Sequence, residues 1–274
     1  IRPFSNVILE PGTKYNLKLT IVPNDKYILH AGLRAVRLNG DIWMRHNVGA
    51  NTSVDPDVLS SNLFGNYYQW GRKTNFMTGT GNYPSYVNDQ TPNTPPTWSN
   101  IPYLVPNAWN NNNNLGTGSI ARESNPSKNI TNDPCPTGFR VPTLAELNRL
   151  VSNTIITQVG SGIKSDTNFT SATILTSKRD KKIIMTLPKQ GYYQGITIFN
   201  NGLTIVGARY VGLIDRGSDA YINSSYNESN ANPSMYNNTQ YGYFRTNGVV
   251  IRYRDESVYD ATLQALPIRC IAGN

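Results

Sequence analysis

Charge is scarce in this sequence. Only 15% of the 274 residues are Asp, Glu, Lys or Arg, and there are just 2 His and 2 Cys. His30 and His46 do not stand at metal-ligand spacing with Cys135 or Cys270, and two cysteines alone cannot complete a zinc site. Long apolar runs are missing too: none approaches the ~20 residues that a membrane-spanning helix needs. The composition argues against a coiled coil or a helical array, and no repeat of roughly 20 to 50 residues is visible. Catalytic signatures of the HExxH, GxSxG and P-loop kinds are absent. Disordered chains combine low hydrophobicity with high charge, and this chain lacks the charge.

What is abundant points elsewhere. There are 22 Gly, 17 Pro and 17 Tyr against 7 Phe, and the polar remainder is mostly Asn, Thr and Ser. This suits an extracellular strand-and-loop protein, long enough for one large domain or two small ones. The net charge of +8 invites a nucleic-acid reading. The basic residues are scattered, however, and the densest run, Lys178-Arg179-Asp180-Lys181-Lys182, lies between apolar segments as a solvated turn. No nucleic-acid partner is expected; weak attraction to anionic surfaces or acidic glycans is the residual consequence. If Cys135 and Cys270 pair, the bridge closes a loop of about 135 residues. Chain entropy assigns such a bridge roughly 4 to 5 kcal/mol, and it implies an oxidising compartment; otherwise two free thiols remain. Ile1-Arg2-Pro3-Phe4 is neither a start nor a secretory leader, so the chain reads as a trimmed product.

Thr13 to Val22 alternates, with Tyr15, Leu17, Leu19 and Ile21 on one face of a predicted strand. Either it joins the sheet of the following domain or it is the last strand of a preceding one; the second reading is preferred, because the next clear strand comes only after a loop. Ala35 to Met44 predicts a hairpin around Asn39-Gly40. Residues 74 to 133 read as one long loop, the kind that is functional or mobile. Thr143 and Glu146 form a capping box ahead of Leu144, Leu147, Leu150 and Val151 on one helical face. A second short helix is predicted between Asn51 and Leu63. Later strands are predicted over Ile183–Leu187, Ile196–Phe199, Leu203–Leu213, Gly248–Tyr253 and Leu266–Ile271. The sum is an α+β fold with mostly antiparallel strands, few short helices and long loops.

Five separated segments carry a resemblance. They are Gly40 to Ala50 (GDIWMRHNVGA), Gly65 to Lys73 (GNYYQWGRK), Asn132 to Thr143 (NDPCPTGFRVPT), Leu187 to Tyr192 (LPKQGY) and Ala265 to Ile271 (ALPIRCI). Together they resemble the Fibrobacter succinogenes major paralogous domain. In Bacteroidales that domain often ends surface and fimbrial proteins, and its fold is similar to C-type lectins and the formylglycine-generating enzyme. The resemblance spans about residues 35 to 272. It implies a Cys135–Cys270 disulfide, core roles for Trp43, Tyr68, Trp70 and Phe139, and structural roles for Arg140 and Arg269. Glu10 to Leu17 is similar to the closing strand of fimbrillin-like β-sandwiches. The expected organisation is therefore a trailing strand and linker over 1–30 and a C-type-lectin-like domain over 31–274.

The resemblance does not imply an enzyme or a cofactor. With both thiols in a bridge, the thiol chemistry of formylglycine-generating enzymes has no nucleophile. The Glu-Pro-Asn, Gln-Pro-Asp and Trp-Asn-Asp triplets of calcium-dependent lectins are absent, and the Asp55/Asp57 pair reads as a surface turn, so no metal site is expected. Tyr210-Val211-Gly212-Leu213 is similar to a lectin strand but too short to decide anything. Sequons at Asn51, Asn129, Asn168, Asn223, Asn227 and Asn237 fit chance in an Asn-rich bacterial chain. The candidate ligand contacts are Trp98, Trp109, Tyr221, Tyr226, Tyr236 and Tyr241. They lie in two Tyr/Asn-rich stretches, 95 to 110 and 217 to 247, that read as loops with the palette of antibody paratopes; the alternative is that these Tyr are buried anchors. The expectation is an adhesin-like domain of a fimbrial accessory or tip subunit, extracellular on the cell surface. Its partners would be other fimbrial subunits and a host matrix protein or glycan. A glycan-binding protein unconnected to fimbriae and a structural cap are the alternatives.

Overall fold

The Asn39-Gly40 pair turns the chain as its chemistry demands. Both residues adopt positive φ, 49° and 95°, which a two-residue hairpin loop requires. The loop joins β2 (Leu33–Leu38) to β3 (Asp41–Met44). A second hairpin precedes it: β1 (Lys26–His30) pairs with β2 through Ala31-Gly32, again at positive φ. In this computed structural model, residues 10–14, 22–81, 109, 126–200, 204–228, 240–246, 248–253 and 264–273 are described. The predicted strand over Thr13 to Val22 falls mostly outside them.

Antiparallel pairing joins all the named strands. The first sheet continues through β5 (Phe139–Arg140) and β15 (Ile271–Ala272), in the order β1-β2-β3-β15-β5. A second holds β4 (Tyr67–Gln69), β9 (Tyr192–Asn200), β10 (Thr204–Ile214) and β14 (Gln264–Pro267), in the order β10-β9-β14-β4. Two three-stranded sheets complete the set. One is β6 (Thr154–Val159), β7 (Ala172–Ser177) and β8 (Ile184–Pro188); the other is β11 (Tyr221–Glu228), β12 (Gln240–Arg245) and β13 (Gly248–Tyr253). The one α-helix among the described residues is α1 (Leu144–Asn153). It is not long and apolar enough to cross a membrane.

Helix α1 starts where the capping box places it. Thr143 accepts from the Glu146 amide while the Glu146 carboxylate accepts from the Thr143 amide. Leu147 and Leu150 then pack against Val36, Leu38 and Trp43 on one face of the first sheet, with Leu175, Met185, Ile222 and Phe244. Ala35 and Met44, alternate residues of the same strands, point the other way and pack with Tyr68, Trp70, Phe139, Val141 and Ile268. Both faces of this sheet are thus covered at β2 and β3. Trp43, Tyr68, Trp70 and Phe139 are core side chains, and Cys135 and Cys270 are bonded beside them.

Four expectations need correction. The stretch between Asn51 and Leu63 holds only a 3-10 turn, Ser61–Leu63. Asn51 and Asp55 accept from amides two residues on, at Ser53 and Asp57, and such local bonds compete with a helix. Leu266 to Ile271 is not one strand. It leaves the second sheet at Pro267, which has no N–H to donate, and joins the first at Ile271. The 217–247 stretch is not a loop throughout, because β11 and β12 occupy much of it. Ile222 pairs with Phe244 inside the core, and this burial outweighs the weak strand preference of Asn and Ser. Finally, a division between residues 30 and 31 falls inside the β1–β2 hairpin. Asp25 is also buried, accepting from Ser177 and paired with Arg179. The folded unit therefore includes residues 25–30.

A chain shortened to begin at Ala31 should melt lower and less sharply than one beginning at Asn24, because it loses a ladder and leaves the Arg179 guanidinium without its carboxylate. Equal melting curves by circular dichroism would return the boundary to residue 31.

Candidate functional site

Arg269 sits where the chain crosses between the two larger sheets. It is 1% exposed, and no carboxylate bonds it. Instead Nε donates to Asn47 Oδ1 (2.8 Å), while the two terminal nitrogens donate to the Met44 and Thr186 carbonyls (3.2 and 3.0 Å). Asn47 in turn donates to Gln190 Oε1 (2.7 Å), which also accepts from the Gly65 amide. Gln190 Nε2 donates back to the Gly65 carbonyl (2.9 Å). Gly65 is required here, since a Cβ would lie 2.5 Å from both Asn47 Cβ and the Val48 carbonyl oxygen. Tyr67 donates to the Gln190 carbonyl (2.6 Å) and accepts from Arg216. Arg216, also 1% exposed, bonds the carbonyls of Gly79, Gly81 and Asp166, and its Nε has no partner among the described residues.

Around Arg269 and Arg216 the positive charge is held by carbonyl and amide oxygens rather than by ion pairs. Burial, with Arg45 nearby, pulls the Arg269 pKa down to about 9, and Asp57 opposes the shift; the group stays protonated at neutral pH. Burial, reinforced by Arg269, lowers His46 to about 4, so the imidazole is neutral and bonds the Val54 carbonyl. Near the disulfide, burial raises Asp133 to about 6, although it accepts from the Val141 and Cys135 amides. Lys128 reaches the carbonyls of Cys135, Pro136 and Phe139. Arg140 forms a two-pronged pair with Glu146, buried at the helix start. All of this fastens irregular backbone, and among the described residues no group of three or more metal-ligating side chains forms.

The tyrosine-rich stretch builds a second, more accessible cluster. Tyr221 packs with Tyr192, Tyr243 and Leu266. Its hydroxyl donates to Asp215 Oδ2 (2.9 Å), and Arg245 lies over its ring. Arg245 grips Asp219 with two nitrogens. Burial disfavours the Asp219 charge, but bonds from Arg245, Thr246 and Ser218 outweigh it and hold the carboxyl below its usual range. Burial, and then the neighbouring Asp215 charge, raises the Tyr221 phenol. The phenol therefore keeps its proton, which suits hydrogen bonding and not nucleophilic attack. Lys164 approaches Asp215 from the solvent side.

The candidate contacts divide accordingly. Trp109 is buried against Trp70 and donates to the Arg72 carbonyl. Tyr221 and Tyr226 are buried, which corresponds to the anchor alternative for these two positions. Tyr241 lies in β12 opposite Asn227 and Arg252, with its side chain outside the description. Trp98 and Tyr236 lie outside the described residues. The Asp215, Asp219 and Arg245 rim gave no signal in sequence, because three charges spread over thirty residues of polar chain meet only after β11 and β12 pair. Compared with known proteins, the chain matches no family model, no curated protein and no solved structure.

Tyr221→Ala should destabilise the fold by about 3 kcal/mol, and Tyr221→Phe by about 1 kcal/mol, as read by urea denaturation. No change in either would place the ring outside the core.

An NMR titration should give His46 a pKa near 4. The unfolded chain takes up this proton below about pH 6.5 while the fold resists it, so stability falls between about pH 6.5 and 4. His46→Gln, which keeps a donor for Val54, should lose less stability over that range; an equal loss would contradict the assignment.

Proposed function

We propose that this chain is an adhesin-like domain of a fimbrial accessory or tip subunit, displayed outside the cell and binding a host or bacterial surface ligand, protein or glycan. The observation that supports this reading best is how the motif residues are used. Trp43, Asn47, Gly65, Tyr67, Gln190, Arg269 and both cysteines are spent on packing, hydrogen bonding and cross-linking. A scaffold of that kind leaves recognition to the stretches it supports. A buried disulfide fits an oxidising, extracellular setting.

On this reading the ligand is met by the Tyr/Asn-rich stretches, with Trp98, Tyr236 and Tyr241 as contacts and Tyr221, Tyr226 and Trp109 as their anchors. Tyr and Trp offer large contact area at low entropic cost, and Asn and Ser adapt their hydrogen bonds. Fimbrial subunits would be its assembly partners.

Trp98→Ala combined with Tyr236→Ala should leave the melting curve in place and reduce adhesion to matrix-coated surfaces or partner bacteria several-fold. Normal adhesion by the folded variant would move the binding surface elsewhere or assign the domain to assembly alone.

A further inference from the structure

Among the described residues the β1 strand is an edge and pairs with β2 alone. The Arg45 amide donates to the Arg34 carbonyl, so Arg34 faces β3 and its cross-strand partner Leu29 is not bonded to β2. The alternation of an antiparallel ladder then turns the amides and carbonyls of Tyr27 and Leu29 outward, available to another strand. The side chains around this edge are unusually apolar for a surface. Leu29 is 74% exposed, Tyr27 40% and Val58 63%. Tyr27 and Leu29 share one face of β1; Arg45 lies over the Tyr27 ring and pairs with Asp57, the residue before Val58, and Arg34 opposite Leu29 bonds the Val54 carbonyl.

The same edge is basic. The Tyr27 hydroxyl donates to the Lys182 carbonyl, which brings the β7–β8 turn alongside. Residues 22–34 and 177–184 together carry Lys26, Arg34, Lys178, Arg179, Lys181 and Lys182 against Asp25 and Asp180. That is a surplus of four positive charges, half of the chain's +8. Lysine on an edge strand ordinarily discourages pairing with another strand, whereas a segment that carries carboxylates would meet these lysines with opposite charge. Two copies of this edge would face each other with like charge, which disfavours self-association.

We infer that β1 is a docking edge for an extended acidic segment of a partner protein, which adds to the first sheet as a further antiparallel or parallel strand. The outward amides and carbonyls of Tyr27 and Leu29 supply the backbone bonds. Apolar side chains of the segment lie beside Tyr27 and Leu29, and its carboxylates meet Lys26 and the lysines of the β7–β8 turn. This interaction is separate from any ligand of the Tyr/Asn-rich stretches.

The test uses the full chain and a short synthetic peptide in which glutamate and valine alternate, with a lysine and valine peptide as control. The acidic peptide should bind and shift the NMR signals of Tyr27 and Leu29, and the control should not. Leu29→Pro removes an outward amide without touching the β1–β2 ladder, and should weaken binding about tenfold. Lys181→Glu with Lys182→Glu, in an exposed turn, should also weaken it and keeps the test open if the proline variant unfolds. Failure of the acidic peptide to bind, equal binding of both peptides, or undiminished binding by folded variants would overturn the proposal. So would a wild-type dimer in sedimentation that Leu29→Pro dissolves, or heparin binding without peptide binding, which would assign the edge to a second copy or to an acidic polysaccharide.

Discussion

The fold depends on a buried guanidinium that has no carboxylate to neutralise it. Arg269 is held by three oxygens from two separate segments, the Met44 carbonyl with the Asn47 side chain and the Thr186 carbonyl, and Asn47 is held in turn by the Gln190 amide. Leaving any of these donors unmade in a dry interior costs free energy on the order of 1–3 kcal/mol, more for a charged group. These bonds are all met where the segments cross as they do here. The network therefore acts chiefly on specificity: it fixes where the segments cross, while the two apolar layers either side of the first sheet supply the bulk of the stabilisation.

This accounts for the spacing of the sequence motifs. They are far apart in the chain, yet four of the five contribute directly to the Arg269, Asn47, Gln190 and Gly65 network. The fifth arrives through the Cys135–Cys270 bond, one residue from Arg269. Asp133 and Lys128 then secure the turn around Cys135. A motif set that converges on one interior builds a scaffold, and loops carried by such a scaffold are where binding usually resides.

Legibility in the sequence followed the range of the interaction. The Asn39-Gly40 hairpin and the Thr143/Glu146 capping box are local, and both appear where the sequence places them. The aromatic core positions were legible from the resemblance, as was the disulfide. The β6–β7 pair was missed although its Thr, Ile and Val residues favour a strand. The β11–β12 pair was not legible: β11 is rich in Asn and Ser, and long-range burial of Ile222 and Phe244 outweighs the weak strand preference of those residues. The same effect hid the roles of Tyr221 and Trp109. A tyrosine beside Asn and Ser looks alike in a binding loop and in a strand, until Tyr192, Tyr243 and Arg245 close around it.

The most direct measurement is a double-mutant cycle between Asn47 and Arg269, using Asn47→Ala, Arg269→Met and the double variant in denaturant unfolding of the oxidised protein. If the buried network fixes the crossing of the segments, the two sites are coupled by about 1–3 kcal/mol, the double variant losing much less than the two single losses together. Additive losses, agreeing to within about 0.5 kcal/mol, would contradict the account.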